Sequence, residues 1–311
     1  MKSLVRIFAC VVILSLTTLS FESFSQPPGG AQVSSGLEGL AADGAQPQLI
    51  SKQFKFTEGP AVDKKGNIYF TDQPNDKIWI YGTDGKLTVF LDETHRSNGM
   101  YFDSKGNLVT CADAENEILS IDKRGKMTVL LKDVEGKKLN GPNDLWIHPT
   151  TGDIYFTDPY YQRDYWTRKK PDLEGEKVYY LAKGKSVAVP VIDNLRKPNG
   201  IIGTPDGKTL YIGDTGGRKT YQYTINADGT LTDGKVFAEQ GSDGMALDDQ
   251  GNLYLTTRGV SVFNKEGKKI AQIAIPGYTS NVVFGGKNRD KLFVTVTESI
   301  YVLDMKVKGA R

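Results

Sequence analysis

Two acids and four carboxamides recur at one kind of position in this chain, and they are the residues best placed to do chemistry. Glu58, Asn98, Asn143, Asn199, Asp243 and Asn281 each open a short apolar run that leads through a polar turn into a second run rich in β-branched and aromatic residues. If equal register puts all of them at one end of a common axis, Glu58 and Asp243 bring two negative charges together. Two carboxylates a few ångströms apart strongly raise one pKa unless a cation lies between them. One divalent cation balances the pair. Asn143 and Asn199 add neutral oxygen ligands, and the set holds no His or Cys, so the expected chemistry is hard-oxygen coordination. Ca²⁺ is the first choice, with Mg²⁺, Mn²⁺ or Zn²⁺ as alternatives, and Asn98, Asn143 and Asn281 are left to contact a substrate. The competing reading treats Asn-Gly and Asp-Gly as ordinary turn dipeptides. It accounts for Asn98, Asn199 or Asp243 singly. It does not account for Glu58, which has no turn preference, or for Asn143, which is followed by Asp144.

The elements that must position these residues are themselves repeated. The six copies lie roughly 40 to 55 residues apart, the period of propeller blades. Runs of four to eight apolar residues alternate with Gly, Asn and Asp turns, and no long segment shows a 3.6-residue period, so each copy reads as four short strands. In the first copy these are Pro60 to Val62, Ile68 to Thr71, Lys77 to Tyr81 and Leu87 to Leu91. The expected fold is all-β, a six-bladed β-propeller whose innermost strands line a central channel. An open ring would leave bare sheet edges. The last copy lacks an outer strand after Ser299 to Leu303, so Pro47 to Phe54 is expected to close the ring by pairing with that blade.

Residues 1–25 read as a secretory signal, with Lys2 and Arg6 ahead of an apolar core and a small-residue cleavage site before Gln26. The apolar stretch is far short of the roughly 20 residues a membrane-spanning helix needs. An exported protein, periplasmic or secreted, is expected. Residues 26–46, rich in Gly, Pro, Ala and Ser, read as a flexible linker, and residues 47–311 as the propeller domain. A net charge of +2 suggests neither nucleic acid nor an anionic membrane as a partner. Cys111 is left without a disulfide partner once Cys10 departs with the signal, and it falls in a strand pattern as a small core residue. No Gly-x-Ser-x-Gly elbow or His-Glu-x-x-His motif is present, which argues against serine-esterase and zinc-protease chemistry.

These segments resemble the gluconolactonase and regucalcin family, the senescence-marker-protein lactonases, and more distantly diisopropyl fluorophosphatase. The similarity spans about Phe56 to Leu303 and rests on Glu58-Gly59-Pro60, Pro142-Asn143-Asp144, Tyr155-Phe156-Thr157-Asp158-Pro159, Pro198-Asn199-Gly200, Ser242-Asp243-Gly244-Met245 and Asn281-Val282-Val283-Phe284. The resemblance implies one catalytic divalent metal on the axis, held by Glu58, Asn199 and Asp243. Asn143 would contact the metal or its substrate, and Asp243 would be the general base or nucleophile. The implied substrate is a small sugar lactone or similar cyclic ester, opened by a metal-activated water. The chain departs from the pattern at Gly141, where sugar-lactone members often carry an arginine two positions before the residue matching Asn143.

The connection from Pro159 to about Lys177 is longer than a hairpin needs. It is expected either as a lid over the channel mouth, with Tyr160 and its aromatic neighbours stacking on a sugar ring and Arg163 or Arg168 replacing the missing arginine, or as an exposed loop. His95, shortly before Asn98, is a candidate substrate contact. His148 should be structural, and Asp72, Asp158 and Asp214 turn-bonding. The alternative to an enzyme is a non-enzymatic propeller that binds a ligand or protein, since propellers host unrelated functions.

Overall fold

The computed structural model describes residues 34–310. The signal segment 1–25 lies outside the described residues, as do 26–33. The chain is all-β and propeller-like. A short strand β1 (Gln48–Ser51) precedes a sheet of β2 (Thr57–Val62), β3 (Ile68–Asp72), β4 (Lys77–Tyr81) and β5 (Leu87–Asp92), paired in that order. A second sheet holds β6 (Ser97–Phe102), β7 (Leu108–Ala112), β8 (Glu117–Ile121) and β9 (Met127–Leu131), and a third holds β10 (Leu145–Ile147), β11 (Ile154–Asp158), β12 (Lys177–Leu181) and β13 (Ala188–Ile192). The fourth contains β14 (Pro198–Gly203), β15 (Thr209–Asp214), β16 (Lys219–Ile225) and β17 (Leu231–Ala238).

The C-terminal part comprises β18 (Met245–Leu247), β19 (Leu253–Phe263), β20 (Lys269–Gly285), β21 (Lys291–Val296) and β22 (Ser299–Asp304). Here β20 is shared: its first part pairs with β19 (Ile273 opposite Val260) and its second with β21 (Val282 opposite Val294). β1 lies antiparallel to β22, with Gln48 opposite Val302. All the pairings are antiparallel, as expected for strands joined by short turns.

The turns follow a local rule. Asp63 accepts from the backbone N–H groups of Lys65 and Asn67, and Asp103 does the same for Lys105 and Asn107. The side chain thereby substitutes for a backbone turn partner. The core lies between successive sheets rather than at one centre: Val109 and Cys111 pack with Phe156 and Tyr179, and Trp146 and Tyr155 with Ile201 and Ile212. Cys111 is fully buried and free, and burial pushes its thiol well above the usual range, so it is a packing residue.

One expectation is corrected. Residues 34–46 do not behave as a free linker: Leu40 and Ala41 are buried in a core cluster with Leu303 and Met305, and Ser35 bridges to Gln272. Leu37, Leu40, Ala41 and Ala45 suffice to dock a segment whose overall composition looks flexible. Among the described residues no helix is long and apolar enough to cross a membrane.

Candidate functional site

The innermost strands lose regular pairing where the recurring polar residues stand. Register shifts fall between Glu58 and Ala61, Ser97 and Met100, Pro198 and Ile201, and Thr279 and Asn281. Such irregularities bend a strand and re-aim a side chain. β10 and β18 begin only after Asn143 and Asp243. The glycine following an axial residue makes room for the next sheet. A Cβ on Gly59, whose φ is 47°, would sit 1.9 Å from the Asn98 carbonyl oxygen, and one on Gly200 would sit 2.7 Å from that of Asp243. These Glu-Gly and Asn-Gly pairs serve close approach rather than turns. Buried threonines on the second strands tie the sheets together, with the Thr157 hydroxyl donating to the Asn199 carbonyl at 2.8 Å and Thr256 to that of Ser280 at 3.0 Å.

All six axial residues are buried. Glu58 Oε2 accepts from Gly59 N at 2.7 Å and from Asn281 Nδ2 at 3.0 Å. The same Asn281 amide lies 3.3 Å from Asp144 Oδ2, so it links two acids. Asp243 Oδ2 accepts a 2.6 Å hydrogen bond from the Tyr278 hydroxyl. Asn143 meets the neighbouring inner strand through its backbone, its carbonyl accepting from Gly99 N at 2.8 Å.

Three carboxylates this deep cannot all ionise cheaply. Burial, reinforced by the charge of Asp243, raises Glu58 well above the ordinary carboxylate range. Burial lifts Asp144 to about 7. It lifts Asp243 to about 6, against the opposing pull of Tyr278 and Asn199. The Oδ1 atoms of Asn98 and Asn199 are buried with no hydrogen-bond partner. Unpartnered buried acceptors beside mutually repelling acids are what a cation would satisfy. Among the described residues no group of three or more His, Cys, Asp or Glu side chains is arranged to hold a metal. Any cation here would therefore be held by a mixed carboxylate and carboxamide set, and the residues present fit one.

Two expected substrate contacts stand elsewhere. His95 is exposed on a loop at φ 56°, its backbone carbonyl bonded to Ala114 N. Tyr160 turns its hydroxyl to Gln162 and its ring toward Trp166 and Arg168. Tyr161 is the aromatic residue that faces the site: its hydroxyl lies 3.3 Å from Thr215 Oγ1, and Asn199 and Asp243 both act on its ionisation. Tyr278 and Asp144 were not singled out as site residues by the sequence pattern. Tyr278 lies in the connection inside β20, outside the repeated position, and Asp144 stands where four of the other five copies have glycine. Asp214 bonds Gly217 N within its own turn as expected, whereas Asp72 and Asp158 instead accept from backbone N–H groups 16 to 18 residues earlier, at Lys55, Phe56, Asn140 and Gly141.

The 159–176 segment is folded against its neighbours. Buried Asp113, just after β7, accepts at Oδ2 from Arg163 Nε at 2.6 Å, from the Tyr165 hydroxyl at 2.7 Å and from Gln73 Nε2 at 3.0 Å, while its carbonyl accepts from Trp166 Nε1 at 2.7 Å. Trp166 covers Gly141, the position of the missing arginine. The Lys197–Glu176 ion pair, at 2.5 Å, holds the other end. Asp113→Ala is expected to release the segment and cost about 1–3 kcal/mol. Trypsin should then cut near Arg163 to Lys170 faster, with Asp113→Asn intermediate. Unchanged cleavage would mean that the segment is held by other contacts.

A cavity of about 1020 Å³ lies along the axis beyond these residues, lined by the later parts of the inner strands and their turns. It meets the acidic cluster only at Asp144 and Asn281. Glu58 and Asp243 do not line the cavity.

Residues 56–298 match the profile of the SMP-30/Gluconolactonase/LRE-like region. A gluconolactonase of Zymomonas mobilis is 26% identical over 296 residues, covering 84% of this chain and 82% of that protein. Lactonase drp35 of Staphylococcus saprophyticus is 29% identical over 253 residues, covering 75% of this chain and 74% of that one. The structure of a gluconolactonase from Xanthomonas campestris superposes with a TM-score of 0.81 at 29% identity, covering 88% of this chain and 94% of the other.

Proposed function

Since this chain belongs to the SMP-30/Gluconolactonase/LRE-like family, we propose that it is a carboxylic-ester hydrolase of lactonase type that opens a sugar lactone or similar small cyclic ester with the help of one divalent cation. The observation that carries the reading is the convergence of Glu58 and Asp243, two buried acids that raise each other's cost of ionisation, beside the unpaired oxygen of Asn199. Glu58, Asn143, Asn199 and Asp243 would hold the cation, with Ca²⁺ favoured by the all-oxygen donor set. When bound, it neutralises the two acids and polarises the ester carbonyl.

We read the sheets as six blades in a closed ring. This is supported by the Ser280 hydroxyl donating to the Thr57 carbonyl at 2.7 Å, by Phe70 of the first sheet packing on Phe293 of the last, and by the pairing of β1 with β22. Such closure makes the Asn281 to Glu58 contact possible.

In the reaction the side chains act as follows. Asn98, Asn143 and Asn281 orient the lactone oxygens, and Tyr161 bounds the mouth. Asp243 accepts a proton from the attacking water as the water oxygen adds to the carbonyl carbon. The ring carbon–oxygen bond then breaks, and Asp243 returns the proton to the departing ring oxygen, giving a hydroxy acid. Tyr278 keeps Asp243 oriented and favours its ionised form. Tyr278→Phe is expected to lower kcat about tenfold, the worth of one hydrogen bond to a charged group. It should also shift the acidic limb of the pH–rate profile upward, because the hydrogen bond that is lost holds the pKa of Asp243 down. An unshifted limb would reduce Tyr278 to a packing residue.

Hydrolysis of gluconolactone and related lactones by the purified protein, with EDTA and then with added Ca²⁺, tests the reading. No turnover on any lactone, in the presence of Ca²⁺, would overturn it in favour of a binding propeller. We also propose, from the signal-like residues 1–25, that the protein is periplasmic or secreted, to be checked by sequencing the mature N-terminus for a start at Gln26.

A further inference from the structure

The cavity of about 1020 Å³ is not lined by Glu58 or Asp243 and meets the lactone site only at Asp144 and Asn281, and its lining divides into apolar walls and charged outer turns. Its walls are apolar: Met100, Trp146, Ile201, Met245, Val282 and Phe284 are buried residues that border it. Its outer turns carry Lys64, Lys65, Lys105, Lys183 and Lys185, with Arg289. The acids among the lining are Asp63, Asp103 and Asp144. Asp63 and Asp103 spend both carboxylate oxygens inside their own turns, each accepting two backbone N–H groups at Oδ1 and an asparagine amide at Oδ2. His148 also lines the cavity. Its Nε2 meets the Gly207 carbonyl at 3.1 Å while its Nδ1 accepts from Thr150 and Thr151 N–H, an arrangement that fits the neutral ring.

From this division we infer a second ligand site: the cavity binds an amphipathic organic monoanion, a carboxylate on an unbranched apolar body of the fatty-acid kind. The volume is at the upper end of the roughly 300–1,000 Å³ of small-molecule sites, and apolar walls with a few charges at one end are their usual make-up. A concave surface with low-dielectric walls focuses the field of the lysines on its opening. The carboxylate head belongs at that rim. The buried apolar walls lie on the inner strands and the lysines on the outer turns, so the apolar tail points inward. Two methionines on the wall, Met100 and Met245, can re-pack around tails of different shape. Neither a metal nor a neutral sugar fits this lining, since its rim is cationic and its walls offer few hydrogen-bonding groups. The site is separate from the lactone reading and stands or falls without it.

Calorimetric titration of the whole protein with dodecanoate, dodecanol and inorganic phosphate tests the inference. Dodecanoate is expected to bind saturably at one site, dodecanol at least about tenfold more weakly, and phosphate not measurably, because both the charge and the apolar tail contribute. The surface variant Lys64→Glu/Lys105→Glu/Lys183→Glu should weaken dodecanoate about tenfold or more and leave lactone turnover unchanged. Met245→Trp should block binding by filling the cavity. If that variant fails to fold, the exposed triple variant still decides. Absence of saturable binding, equal affinity for dodecanol, insensitivity to the triple charge reversal, or loss of binding in Asp243→Asn would each overturn the proposal.

Discussion

Asp243→Asn is expected to cut kcat on a lactone by about 10³-fold or more, the range for loss of a general base, while raising the melting temperature of the metal-free protein at neutral pH. The two effects share one cause. Asp243 is buried beside Glu58, and its charge is the second-largest reason, after burial, that Glu58 resists ionisation. Asparagine has nearly the same shape and can still accept from the Tyr278 hydroxyl through its side-chain carbonyl, so the 2.6 Å contact has a replacement. It cannot take a proton from water. It also removes one of two like charges from a low-dielectric site, where the repulsion is poorly screened. Activity should therefore fall as stability without metal rises, and added Ca²⁺ should stabilise the variant less than the parent. Steady-state kinetics and thermal melts with and without EDTA read all three. Turnover within tenfold of the parent would remove Asp243 from the role of base. Lost turnover with a lowered melting temperature would show a structural defect.

The recurring polar residues at the openings of the inner strands stand out in the sequence because the architecture repeats. A polar residue followed by glycine recurs where one sheet's backbone must pass within van der Waals contact of the next, and the period of the copies exposes it. The first-sheet strands ran within three residues of expectation for the same reason: turns such as Asp63 to Asn67 are specified by a side chain two to four residues away. What lay hidden depends on contacts far apart in sequence. Arg163, Tyr165 and Trp166 find Asp113 across 50 to 53 residues, and no local pattern names that partner. Tyr278 reaches Asp243 from a connection that the repeat leaves variable. Asp144 carries its acid where four of the five sister copies carry glycine, and the Asn281 amide, from the last sheet, shows that it belongs to the cluster. Composition misjudged residues 34–46, because a few apolar side chains decide docking and an average over the segment hides them.

The metal-free protein should become more stable, not less, as pH falls from 8 to about 5. Burial raises Asp144 and Asp158 to about 7 and Asp243 to about 6, and raises Glu58 as well. A carboxylate whose pKa is higher folded than unfolded binds its proton more tightly in the native state. Its contribution to stability is complete below the unfolded value near 4 and is lost as pH rises through the folded value. A tenfold gain in proton affinity on folding corresponds to about 1.4 kcal/mol, so the cluster together carries a change on the order of several kcal/mol across this window. Paired carboxylates, with lowered pKa values, act the other way and give up their stability only as pH falls below about 5. A cation at the axis would hold Glu58 and Asp243 ionised and so abolish their share. Asp158, bonded to the Asn140 and Gly141 N–H groups away from the axis, keeps its own. Calcium at about a hundred times its dissociation constant should add ~2.7 kcal/mol where the site is deprotonated. The gain should be largest at pH 8 and vanish near pH 5, where protons displace the cation. Calorimetric melts at intervals between those limits, with EDTA and with saturating Ca²⁺, decide the matter. Parallel curves would mean that Ca²⁺ does not bind where Glu58 and Asp243 meet, and a metal-free protein that weakens steadily on acidification would mean that these acids are ionised and satisfied without it.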